Sequence, residues 1–179
     1  ANMALAGMSL PDIAKYTTQA GLDMTKYNTK LLPAFSEWLL NPKNADIFKH
    51  GTSEDVYKAF AQTVGNDDAR LFMELLDAQK RGVFGGIVGQ HDAVKRAVGE
   101  MPTSKIGKNL DKIQDLNYKL GATADDMNRL AAYRWAQNSD NAYQLYKVGA
   151  ESAKDFVNYA MFDYKSMSPT EQAYFTKVF

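Results

Sequence analysis

The chain has 179 residues, no cysteine, 45% hydrophobic and 23% charged positions. That is a globular profile, and it excludes a disordered tail, a disulfide scaffold, thiol nucleophiles and cysteine-based metal sites. Its 21 Lys plus Arg balance 21 Asp plus Glu, so it lacks the basic excess of a general polyanion coat.

No apolar run approaches the roughly 20 residues that span a bilayer, and the stretch from Ala1 to Ser9 lacks the basic start of a signal peptide. The chain begins without Met and stops at Phe179 inside an apolar, helix-like pattern, so both ends read as cuts in a longer polypeptide, with removal of an initiator Met as the alternative at the first. In chain order, Pro11 suits the first turn of a short helix ending near Gly21. Asp23 then caps a second helix that Pro33 kinks or restarts as Pro33 to Leu40. Asn41 and Pro42 close it. Thr52 with Asp55 predicts a capping-box start, and Val56, Phe60 and Val64 form a stripe ending at Gly65. Asn66 opens a helix carrying Leu71, Phe72, Leu75 and Leu76.

After Gly99 and Pro102, Ile106, Leu110, Ile113, Leu116 and Leu120 line one side of a helix from Ser104 to Gly121, where the glycine is the stop. Thr123 caps a helix holding Met127, Leu130, Ala131 and Trp135, interrupted near Ser139 before Gly149. A further helix spans Glu151 to Phe162 with Phe156, Val157 and Ala160 inward. Ser168, Pro169 and Glu171 combine an N-cap, a first-turn proline and a reciprocal glutamate, marking the last helix. The expectation is an all-α fold: an irregular bundle of about seven to nine helices without significant sheet. It divides into an N-terminal region (1–101) and a C-terminal region (102–179) that form one helical unit. No repeat of fixed period is visible.

The chemistry-bearing residues are few. His50 and His91 are the only histidines, and neither belongs to a metal-binding pair at helical spacing; both read as surface or capping residues. Glu74 and Asp77 share a helix face, as the paired carboxyls of a glycosidase must approach one another, but so do many solvated acids. The Glu-Ser and Gly-Leu-Met-Gln pattern of lytic transglycosylases is missing. No cofactor is called for.

The segment Gly82 to Gly89 lacks G-x-G-x-x-G and a Gly-Lys-Ser/Thr ending, so it is no phosphate loop. It reads as a helix stop followed by close backbone contact, because Gly82 and Gly86, Gly85 and Gly89, and then Ala93 and Ala97 are small residues four apart. Gly82, Gly85, Gly86, Gly89 and Ala93 are therefore candidates for contacts within one subunit or between two. Flanking Lys80, Arg81, Lys95 and Arg96 also suit transient contact with lipid. Residues 80–119 carry 8 basic and 4 acidic side chains, against 7 and 10 in 1–79 and 6 and 7 in 120–179. Within that basic segment Lys105, Lys108, Lys112 and Lys119 share a sector about 120° from the apolar stripe of their helix. Such a column is a solvated face in a lone subunit. Repeated around a ring of copies, it would line a lumen for sequence-independent DNA contact.

Aromatic residues crowd the C-terminal third, as expected of a core or a protein interface. In that third, Arg129 precedes Ala131, Ala132 and Tyr133; Gly149, Ala153 and Val157 share a helical spacing; Phe162, Asp163 and Tyr164 follow, and then Ser168, Pro169 and Glu171. This stretch, 57 of the 179 residues from 123 to 179, resembles a segment of large tailed-phage internal virion proteins and related polyvalent proteins of phages and mobile elements. It departs from that pattern at Gln172, where the family commonly has a basic residue, and it ends where a Pro-Phe-aromatic sequence would begin. The resemblance implies a piece of a large helical protein kept in the phage head near the portal and delivered into the host envelope during genome ejection. Its implied partners are copies of itself, other internal virion, portal or tail proteins, and DNA. It implies no catalysis in this segment. Competing expectations are a fragment of a virion RNA polymerase or peptidoglycan hydrolase, or a helical module of a mobile-element protein.

Overall fold

A computed structural model describes residues 3–84, 124–161 and 169–170 of the chain. All the regular elements among these residues are helices, as expected. Ser9 begins the first, α1 (Leu10–Lys26): its hydroxyl accepts the Asp12 N–H at 3.2 Å and Pro11 occupies the first turn. The helix does not end near Gly21, and Asp23 caps nothing. A Cβ at Gly21 would lie 3.0 Å from Met127 Sδ, so this glycine lets another helix approach closely, and α1 continues through it.

From Tyr27 to Leu31 the helix widens into a π turn, in which the Leu32 N–H reaches back to the Tyr27 carbonyl. Pro33 explains the widening. It has no N–H for the Thr29 carbonyl, and in a regular helix its ring would strike that oxygen. The extra residue in the turn leaves Leu31 and Leu32, adjacent in sequence, both buried. Helix α2 (Leu32–Trp38) then carries Phe35, Ser36 and Trp38 inward.

Asn41 and Pro42 open a helix as well as closing one, which corrects the sequence reading. The Asn41 side chain accepts the Lys43 N–H at 3.0 Å, and α3 (Pro42–His50) follows with proline in its first turn. Thr52 and Asp55 form the expected reciprocal capping box at the head of α4 (Ser53–Val64). Gly65, at φ +92° and ψ 162°, is the whole connection to α5 (Asn66–Lys80). That conformation is open essentially to glycine alone.

The C-terminal region enters with α6 (Ala124–Gln137), followed by a 3₁₀ turn (Ser139–Asn141), α7 (Ala142–Lys147) and α8 (Ala153–Met161). The break expected near Ser139 is there. Gly149, at φ +76°, ends α7 with a Schellman pair: Ala150 N–H to the Leu145 carbonyl and Gly149 N–H to Tyr146. Gly149 therefore precedes the helix it was expected to share with Ala153. Helix α8 starts two residues later than Glu151, because the Ser152 hydroxyl accepts the Asp155 N–H at 3.1 Å and takes the capping position.

The same corner is built twice. After Trp38 and again after Trp135 the sequence reads W-x-x-N-x-x-N. In both, the first Asn caps the next turn, donating its N–H back to the Trp carbonyl, and the second Asn side chain also donates to that carbonyl. Asn44 does so at 3.0 Å and Asn141 at 2.9 Å. One tryptophan's last-turn carbonyl, which a helix end leaves without a partner, is thereby satisfied at each corner. A third helix, capped by Thr52 or Ser152 with an Asp three residues on, then brings an aromatic ring against the tryptophan. Phe60 lies 5.8 Å from Trp38 and Phe156 lies 5.1 Å from Trp135, between ring centres.

The core of the N-terminal region is aromatic. Phe35 touches Trp38, Phe48, Phe60 and Phe72 with ring centres 4.5 to 5.4 Å apart, and Tyr27 stacks on Phe72 at 5.3 Å. The C-terminal core is built on small residues. Ala131, Ala132 and Ala160 are fully buried beside Leu130, Phe156 and Val157, so α6 packs closely against both α1 and α8.

Candidate functional site

Of the small-residue contact set, the described residues include only Gly82. It is buried at φ +77° just beyond α5, where its N–H bonds to the Gln79 carbonyl and the Val83 N–H to Ala78. Gly82 is thus a helix stop of the Schellman type, with buried Val83 closing over Ala78. Gly85, Gly86, Gly89 and Ala93 lie outside the described residues. So do Lys105, Lys108, Lys112 and Lys119 with the Ser104 to Gly121 helix, as well as His91, Thr123, Phe162, Asp163, Tyr164, Ser168 and Glu171. His50 is exposed at the end of α3.

The carboxylates singled out by sequence are brought into ion pairs. Glu74 accepts from Arg134 Nε at 2.7 Å, and Asp77 from Arg81 Nε at 2.8 Å. The second Arg134 contact runs to Asp23 at 2.6 Å, on α1. Arg134 is nearly enclosed, at 14% exposure. Burial works against its charge, but the hydrogen bonds and charges of Glu74 and Asp23 outweigh that and hold its pKa above the ordinary arginine value. One residue on, Trp135 Nε1 donates to Asp12 at 3.0 Å. These three acids, from α1 and α5, fix α6 on the N-terminal helices. The sequence carried no local signal for this joint, because its partners are 60 to 123 residues apart.

The first part of the motif behind the phage resemblance, from Arg129 to Tyr133, is interior, whereas Gly149 is exposed. Arg129 is buried and paired with Asp125 at 2.7 Å, and Ala131, Ala132 and Tyr133 are buried as well. Among the described residues no group of three His, Asp or Glu side chains is placed to hold a metal ion, and no helix is long and apolar enough to cross a membrane.

Among the described residues, several large apolar and aromatic side chains are exposed. Tyr146 is 80% exposed, Tyr143 69% and Leu5 81%. Tyr143 and Tyr146, three residues apart, share one side of α7. Leu5 comes from a tight turn whose neighbours Met3, Ala6 and Met8 are buried as anchors. That turn abuts α7, because Gly7, at φ +105°, is so close to Gln144 that a Cβ would meet its Oε1 at 2.7 Å. Two rings and a leucine are therefore exposed on adjoining elements. The sequence reading placed the tyrosines in an aromatic-rich segment but had no reason to join Leu5 to them. Compared with known proteins, the chain matches no family model, no curated protein and no solved structure.

Proposed function

We propose that this chain is a structural, non-catalytic module of a tailed-phage internal virion or ejection protein. It assembles with copies of itself and supports the path of DNA from the head through the host envelope. The observation that carries the assembly reading is the exposure of Leu5, Tyr143 and Tyr146 on adjoining elements. Rings with one apolar body and one hydroxyl are well suited to interfaces that form and part in water. The phage assignment itself rests on the residues of the C-terminal resemblance. The lysine column Lys105, Lys108, Lys112 and Lys119 is the proposed lumen surface, and Gly85, Gly86, Gly89 and Ala93 the proposed small-residue contact.

Light scattering tests the assembly: the wild-type chain is expected to show concentration-dependent mass, and Tyr143→Ser with Tyr146→Ser to reduce it without altering helicity. A monomer at every concentration would remove the reading. DNA association by the assembled form is expected to be independent of base sequence and to fall with salt, and to weaken when the four lysines become alanine.

A further inference from the structure

The outward face of α7 is complementary to itself. Asp140, in the 3₁₀ turn that leads into the helix, Tyr143 and Lys147 follow one another at spacings of three and four, with Tyr146 beside them, so all four lie on one side. All four are exposed, and neither Asp140 nor Lys147 has an ion-pair partner among the described residues. The acid stands at the start and the base at the end, roughly 11 Å apart by the rise of the two elements. Each charge suits its own end of the helix. Together they also give the face a negative head, an aromatic middle and a positive tail.

The first tryptophan corner supplies a comparison within the same chain. Counted from its capping asparagine, Lys43, Asp46, Lys49 and His50 occupy the places of Asp140, Tyr143, Tyr146 and Lys147, and the inward place among them is apolar in both copies, Phe48 and Leu145. The corner is thus built equally well with a charged outer face, and its folding does not call for the two rings. From this and the order of the charges we infer that α7 pairs with α7 of a second copy, antiparallel about a two-fold axis near Tyr143. Asp140 of each chain then faces Lys147 of the other, with the tyrosine rings packed between. A parallel pairing would oppose like charges. This pairing rests on the assembly reading above, to which it adds the face and the orientation. One short helix offers less than the roughly 800 Å² per partner of a stable interface, so the pair is weak and forms at high concentration. A two-fold contact also closes at two copies, so larger assemblies join such pairs through another surface.

Sedimentation equilibrium on the whole chain tests the pairing, with Asp140→Lys, Lys147→Asp and the two combined. Either single change makes both charge contacts of the pair repulsive and is expected to weaken association about tenfold. The combined exchange is expected to restore it. So is an equimolar mixture of the two single variants, in which one chain brings two lysines and the other two aspartates to these places. Tyr143→Asp with Tyr146→Lys, which gives α7 the residues of the first corner, is expected to abolish pairing. All four positions are exposed, so the variants are expected to keep the wild-type circular dichroism. A wild-type chain that is monomeric at every concentration would overturn the pairing together with the assembly reading. If the wild type associates but the single variants associate equally, or their mixture does not recover, the pairing alone is overturned: the contact then lies on another face, and the two rings meet a different partner.

Discussion

Residues 3–84 and 124–161 turn the same corner with the same residues and then fill their interiors in opposite ways. In the first region the tryptophan corner leads into interlocking aromatic rings, Phe35 at their centre. In the second it leads into alanines that draw helices together, with the nearly enclosed Arg134 and a tryptophan N–H tied to acids on α1 and α5. Aromatic packing supplies large buried area without needing a particular neighbour elsewhere in the chain. An alanine interface supplies less area, and the directed Arg134 contacts set where on the N-terminal helices it docks. The first region is thus built to hold itself together and the second to be held in place.

The largest expected effect probes the aromatic side of that contrast. Phe35→Ala opens a cavity among four rings and is expected to cost about 3–5 kcal/mol in urea denaturation. A cost below about 1.5 kcal/mol would mean the rings are not the chief stabiliser of their region. Next comes the joint. Arg134→Ala leaves Asp23 and Glu74 facing each other without their shared cation, and about 2–3 kcal/mol is expected, somewhat under the figure for a fully buried pair because Glu74 is 40% exposed. Hydrogen exchange sharpens this: amides of α6 and α8 are expected to lose protection before those of α2 to α5. Uniform loss across both regions would show one cooperative unit and abolish the distinction.

A smaller effect compares the twin corners directly. Thr52→Ala removes the reciprocal cap of α4 and Ser152→Ala the cap of α8, each worth about 1 kcal/mol. If the corners are equivalent, the two losses agree within a few tenths. The smallest effect lies at Asp68, which accepts from Lys30 at 2.8 Å and Lys26 at 2.9 Å. Those hydrogen bonds hold its carboxyl below the ordinary aspartate value. Its contribution is therefore complete above the unfolded-state pKa of about 4 and fades as pH falls through the lower folded value. Asp68→Asn is expected to flatten the acid limb of a pH–stability curve while changing neutral stability by less than about 1 kcal/mol.

Local signals in the sequence were read well where one residue type does one job. The Thr52 and Asp55 box, the Gly65 stop, the break near Ser139 and the inward Phe156, Val157 and Ala160 were all legible. The errors came where a residue serves two ends or a distant partner. Asn41 and Pro42 read as a terminator, although an asparagine before a proline is equally the start of a helix. Gly21 read as a stop, because the sequence cannot show that Met127 lies against it. The repeated W-x-x-N-x-x-N was within reach of inspection but has no fixed period to flag it. Arg134 with Asp23 and Glu74, and Leu5 beside α7, depend on packing between remote segments, which no short-range pattern encodes.

The wide turn at Tyr27–Leu31 has a consequence for how this chain can change over generations. It holds one residue more than a regular helix would at that place, and Pro33 makes the addition tolerable, having already removed the backbone bond that an insertion would break. Going back is harder. Deleting a residue there while the proline remains drives its ring into the Thr29 oxygen and turns one of the two buried leucines outward, whereas losing the proline first leaves the insertion in place without its justification. The pair acts as a ratchet, and lineages carrying it are expected to keep both or to lose both together.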